Sequence, residues 1–289
     1  MSNLQLFVAC VAIWGSTWRA IVYQLGSVPA EASVAYRFIL ASAILFVFCL
    51  ARRLPLVFGA RDHAWIALFG LFMFGVSYIL VYFAEEHVVS GLVAVGYSAS
   101  PLLGMLGLRL FFGTPMTARM MAGSVLGMAG IAIVFWPEFG KLRGGGDTAL
   151  GAVYTAGAVV VSALGTMVAH RNYDAKYPLW QTMAWGMLYG GLFSLGVAIV
   201  SGKPLVFEAS AAYVLSLLYL AILGSVIAFG AYLTLLHRIG AARAGYIGVM
   251  VPIVALVISA MFEGFHWQAL TFLGIAISVA GNMIILARK

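Results

Sequence analysis

Charge is what this sequence has least of. Asp, Glu, Lys and Arg make up 9% of its 289 residues against 64% hydrophobic ones, and a mean hydropathy of +1.05 leaves too little polar surface to cover a soluble globule. A water-soluble domain is excluded, and lipid becomes the solvent. Cysteine is nearly absent too: Cys10 and Cys49 both fall in apolar runs, where a thiol behaves as a small hydrophobe, so there is neither a disulfide framework nor a zinc spacing. The formal charge of +7 does not mark a nucleic-acid partner, because the cations stand singly or in pairs at segment ends without a basic, aromatic-interleaved patch. The N-terminal run lacks a basic leader and an Ala-x-Ala site, so Met1 to about Leu25 is expected to be a retained span. No acidic residue falls at the expected midplane of a span, which removes the Asp/Glu relay of many proton-coupled carriers; Glu263, at the outer end of the ninth span, comes closest.

What the chain does have is ten apolar runs long enough to cross about 30 Å of hydrocarbon. They cover roughly Leu4–Leu25, Ala30–Ala51, His63–Phe83, Val88–Phe111, Thr117–Trp136, Thr148–His170, Pro178–Val200, Ala211–His237, Arg243–Glu263 and Trp267–Ala287. Short loops join them, apart from a Gly144-Gly145-Gly146 linker near the middle. With the N-terminus inside, eleven Lys or Arg residues flank the cytoplasmic side and three (Lys141, Arg143, Lys203) the outer side, so both termini are expected to be cytoplasmic. Glu31, Glu85, Glu86 and Glu208 then fall outside.

Laying the fourth and fifth runs on the ninth and tenth at an offset of 151 residues brings Pro101 onto Pro252, Gly113 onto Gly264, Gly123 onto Gly274 and Gly130 onto Gly281. Because five spans is an odd number, the second copy enters from the opposite face. The expected architecture is therefore all-α and membrane-integral: ten transmembrane helices forming one transporter domain (1–289), with a first repeat over 1–136 and an inverted second repeat over 148–289. Inverted repeats characterise secondary transporters that alternate access around a midplane site.

Pro101 and Pro252 fall mid-span, where each removes a backbone donor and frees the carbonyls of Tyr97 and Gly248. They are the candidate helix breaks, with a packing kink as the plain alternative. A substrate cavity is suited by the mixtures Trp14-Gly15-Ser16-Thr17-Trp18 and Gly96-Tyr97-Ser98-Ala99-Ser100: rings bury apolar parts of a solute, while hydroxyls and freed carbonyls satisfy polar ones. The cavity candidates are Trp14, Ser16, Thr17, Tyr78, Tyr97, Ser98, Ser100, Trp185 and Tyr246. Each hydroxyl has a plainer reading as a bond to its own helix, and each ring as an interfacial anchor. Arg19 and Arg37 lie within spans, at a cost of ~2.5–3.5 kcal/mol each on insertion scales. They are candidates for a substrate carboxylate, for pairing with Glu31, or for snorkelling to headgroups.

The Trp14-Gly15-Ser16-Thr17 opening, Pro29 followed by Arg37-Phe38, and the run from Pro252 through Glu263-Gly264 to Gly274 and Gly281 resemble the drug/metabolite transporter superfamily in its EamA type. Within it the chain looks most like YddG-type exporters of aromatic amino acids. The resemblance implies a central cavity and export of amino acids or related metabolites, with a small-molecule substrate and the bilayer as partners, no nucleic acid, no cofactor and no metal, in a bacterial-type inner membrane. The sequence leaves the oligomeric state open. Drug or nucleotide-type carriage stays the alternative. An intramembrane serine hydrolase using Ser98 or Ser100 with His237 is the distant one, since that histidine is expected at the cytoplasmic boundary.

Overall fold

A computed structural model describes residues 1–113, 115, 117–141, 148–244 and 246–286. All regular structure among them is helical. In chain order it consists of α1 (Asn3–Val22), α2 (Ala30–Ala51), α3 (Ala60–Gly70), α4 (Ser77–Glu85), α5 (Ser90–Tyr97), α6 (Ser100–Phe112), α7 (Ala118–Lys141), α8 (Thr148–Asp174), α9 (Leu179–Val200), α10 (Ala211–Leu218), α11 (Ala228–Ala244), α12 (Tyr246–Phe262) and α13 (Ala269–Leu286). Wide π turns join α3 to α4 (Leu71–Val76) and α10 to α11 (Tyr219–Ile227). Seven continuous helical segments are long and apolar enough to cross a membrane, and three further described helices are apolar but shorter, Ala118–Val134, Met250–Phe262 and Ala269–Gly281. The chain is a multi-pass membrane protein.

Its outside and inside follow from that solvent. Large apolar side chains such as Leu110, Val153, Val200 and Phe272 point outward, as a lipid-facing surface requires. The interior is filled by Phe38, Phe74, Tyr82, Met187 and Leu220 from α2, the first π turn, α4, α9 and the second π turn. With no hydrophobic drive between helices in lipid, close approach must come from small residues. Gly70 and Gly186 let α3 lie directly on α9, and a Cβ at Gly70 would overlap the Gly186 carbonyl. Between α7 and α13, a Cβ at Gly274 would stand 2.6 Å from the Gly130 carbonyl oxygen and one at Gly281 2.6 Å from that of Gly123. The small-residue faces of these two helices therefore meet inside one molecule.

Two local departures from the expected rods bear on the site. The fourth apolar run is broken at Ser98–Ala99 into α5 and α6, and Pro101 sits in the first turn of α6, where its missing N–H costs no helical bond. Pro252, by contrast, lies inside an uninterrupted α12; a lone missing bond is tolerated when neighbouring helices surround it. The Gly144–Gly146 linker and the side chains of Pro101, His237 and Tyr246 lie outside the described residues.

Candidate functional site

The hydroxyls and rings of α1 face the second π turn. Ser16 Oγ donates to the carbonyls of Ala12 and Ile13 and is hydrogen-bonded to the Tyr219 hydroxyl at 2.6 Å. Trp14 donates from Nε1 to the Gly224 carbonyl at 3.1 Å, and its ring packs on Phe229 and Tyr232. Thr17 Oγ1 turns back to the Trp14 carbonyl, leaving its methyl against Gly224. A wide turn brings a carbonyl and a hydroxyl to α1 here, and π bulges often mark functional positions in this way.

On the other side of α1, Trp18 meets the Tyr97 ring edge-on at 5.5 Å, and the Tyr97 hydroxyl donates to Ser162 Oγ of α8 at 2.9 Å. Tyr78 of α4 lies under the Arg37 guanidinium, 4.6 Å from ring centroid to Cζ, a cation–π contact that offsets part of the cost of a buried cation. Arg37 is 1% exposed. Its Nε donates to Ser225 Oγ at 3.4 Å, while Nη1 has no partner among the described residues. Replacing Tyr97 by phenylalanine removes one partly buried hydrogen bond, and the expected loss is ~1 kcal/mol, read as a small fall in melting temperature with the fold intact.

The remaining expected residues are scattered. Ser98 donates to the Val95 carbonyl at 2.6 Å and, with Pro252, lines a narrow cleft between α5, α12 and α13. Ser100 is buried. Trp185 stands apart: its Nε1 donates to the Leu56 carbonyl at 3.0 Å and its ring packs on Phe46, His63 and Tyr189, at the end of the bundle where α3 begins. A cavity of about 280 Å³ lies at the opposite end, between the α4–α5 connection and the α12–α13 loop, lined in part by His87, Thr148, His266 and Gln268.

At that same end a polar layer joins six elements. Glu263, just past α12, accepts from the Ser90 backbone N–H at 2.7 Å and from Ser90 Oγ at 2.6 Å, so it caps the start of α5, and it meets Arg19 of α1 at 3.8 Å. Arg19 thus pairs with Glu263 rather than Glu31. Ser259 accepts from the Gly91 N–H at 2.8 Å. Nearby, Gln24 donates to the Tyr213 carbonyl at 2.9 Å and to Ser216, while Ser33 bonds Tyr213 Oη at 2.9 Å.

Glu85 belongs to this layer and is missing from the sequence-based candidates, where it counts as a loop acid. It is the last residue of α4 and 7% exposed. The signal was periodicity: Tyr78, Tyr82 and Glu85 are spaced i, i+4, i+7 and share one helix face.

With this geometry in view, the sequence pattern of the EamA-like transporter family matches residues 1–136 and 149–287. An inner membrane transporter of Escherichia coli K12, YedA, is 28% identical over 295 residues, covering 99% of this chain and 92% of its own. A protein of Streptantibioticus cattleyicolor named a probable terminal-alkyne amino-acid exporter is 28% identical over 287 residues, covering 96% and 91%. A solved crystal structure superposes with a TM-score of 0.69 at 18% identity, spanning 98% of this chain and 96% of the other, a likeness of fold alone. These names indicate transport rather than enzymatic chemistry.

Proposed function

We propose, from the premise that this chain belongs to the EamA-like transporter family, that it exports amino acids, aromatic and other neutral ones first, by alternating access around the α1–α4–α5 cluster. Membership makes it a multi-pass inner-membrane transporter. The finer reading is carried by one observation: a fully buried guanidinium with a free Nη1 borders a group of rings and hydroxyls. Arg37 offers a carboxylate two-point recognition, Trp14, Trp18, Tyr78 and Tyr97 offer apolar faces, and Ser16 and Thr17 polar contact; Ser98, Ser100, Trp185 and Tyr246 complete the set in other states. The name borne by the Streptantibioticus relative points the same way.

The two-repeat organisation, 1–136 and 148–289 inverted about the membrane plane, is supported by backbone detail. The positive-φ residues form three pairs at nearly one spacing, Gly26 with Lys176, Arg53 with Gly202, and Gly113 with Gly264. Each π turn falls in the third span of its half. The Gly123–Gly281 contact, shifted by the repeat, becomes Gly274–Gly130, the other contact seen. An exchange of halves leaves such a seam unchanged, as a pseudo-two-fold axis demands.

Counterflow in vesicles tests the substrate: reconstituted protein preloaded with phenylalanine is expected to take up labelled phenylalanine saturably. No exchange of any aromatic or aliphatic amino acid would remove this reading. Tags on the two ends should report one compartment, the cytoplasm.

A further inference from the structure

Six of the eight buried side-chain polar atoms without a hydrogen-bond partner among the described residues lie in or beside the polar layer: Arg19 Nε, Gln24 Oε1, Arg37 Nη1, Tyr82 Oη and both carboxyl oxygens of Glu85. Buried orphans are rare in folded proteins, and such a concentration asks for a cause. Two carboxylates share this layer and are treated oppositely. Glu263 receives two hydrogen bonds from Ser90 and faces Arg19, all that an anion needs. Glu85, which also feels the charges of Arg37, Arg19 and Glu263, receives no donor among the described residues. An ionised carboxylate at 7% exposure without a donor is among the costlier things a protein can bury. A carboxylic acid in the same place is not.

We infer that Glu85 is the proton-binding site of this carrier, held as a neutral acid while the polar layer is closed. Opening that end admits water to the carboxyl group; its O–H bond then breaks, the proton passes to water, and the carboxylate left behind pairs with the free Nη1 of Arg37. Closing reverses the step. The groups that set this balance come from every side: Arg19 from α1, Arg37 from α2, Glu263 beyond α12, and Tyr82 from α4 itself, with Tyr82 Oη beside Arg37. Two residues further on, His87 stacks on Tyr154 of α8 at 5.8 Å. Environments that divide two acids in this way assign them separate roles, one structural and one titrating. The site is distinct from the ring-and-hydroxyl cluster, but Arg37 bears on both, lying on Tyr78 and acting on Glu85 through its charge. One guanidinium therefore connects proton and solute. That coupling rests on the transport reading above; the proton site does not.

Infrared titration of the full chain in lipid vesicles tests the site without any substrate. At pH 7 the wild type is expected to show the C=O stretch of a protonated carboxyl group, abolished in Glu85→Gln and retained in Glu31→Gln, which removes a further buried acid of this end. Absence of the band in the wild type, or its survival in Glu85→Gln, overturns the assignment. If Glu85→Gln does not fold, Glu85→Asp serves: the band must move, and an unmoved band is equally fatal. For coupling, vesicles with an imposed pH gradient and labelled phenylalanine are expected to accumulate it with the wild type, whereas Glu85→Gln exchanges it without accumulation. Accumulation that persists in Glu85→Gln, or wild-type exchange without accumulation, overturns the coupling. A wild type that does neither overturns the amino-acid reading, and the infrared result still decides the proton site.

Discussion

Glu263→Ala protein is expected to lose about 2–3 kcal/mol of stability, the cost of leaving partly buried polar groups without their partner. Two groups are stranded at once, the Ser90 N–H at 2.7 Å and Arg19 at 3.8 Å, while the Ser90 hydroxyl, 2.6 Å from Glu263, falls back on Ser259 Oγ at 3.2 Å. The first of these is an unsatisfied donor at the start of α5, where helices depend on capping. Arg19 loses its only carboxylate among the described residues, keeping its stacking on Tyr23 at 4.8 Å. Thermal melting in detergent, followed by tryptophan fluorescence, measures the loss. Glu263→Gln supplies the decisive comparison, since its amide oxygen can still accept from Ser90: it should recover a large part of the deficit. Equal melting of Glu263→Ala and wild type would mean that α12 and α5 are held together elsewhere.

Gly70→Val is expected to be as damaging by a different route. A Cβ at this position overlaps the backbone carbonyl of Gly186, and Gly190 approaches the Gly70 carbonyl in the same way, at 2.7 Å for a Cβ added there. The obstacle is backbone on both sides, so no rotamer change can relieve it. Overpacking of a relaxed core costs ~1–3 kcal/mol and more where nothing yields. The predicted outcome is failure to isolate a monodisperse protein. Gly59→Val, at a position where an added Cβ meets only the flexible Asp62 side chain at 3.4 Å, should behave as wild type in the same size-exclusion assay. Normal behaviour of Gly70→Val would show that α3 and α9 do not rest on one another.

The helical scaffold was legible in the sequence because its determinants are local. Ala30–Ala51 is expected and found at the same bounds, and Thr148 and Val200 begin and end α8 and α9 as hydropathy places them. Membership of the EamA type was likewise readable from Trp14-Gly15-Ser16-Thr17 and the run from Pro252 to Gly264. The interruptions were not. Nothing in Leu71–Val76 or Tyr219–Ile227 differs in composition from the helix on either side, since a π turn is selected by what packs across it, here α8 and α9 for the first and α1 and α2 for the second. Pro101 and Pro252 look alike in sequence and act differently, one opening a new helix and the other carried within one.

The site was only partly legible for a related reason. Trp14, Ser16 and Thr17 meet the second π turn on one side of α1, Tyr97 meets Trp18 on the other and Tyr78 lies under Arg37, while Trp185 is carried by the fold toward Leu56 and His63. Glu85 was missed because it is the last helical residue before a turn, where a charge ordinarily meets water. Its burial depends on helices distant in sequence, since α4 packs on α8 and also meets α2 and α1.

The glycine seam of α7 and α13 has one more consequence. Backbones that touch at two points, with no side chain between them, have no slack to give up and none to gain. This pair is a fixed post, and on the alternating-access reading proposed above the helices that swing turn about it as a door turns on its jamb.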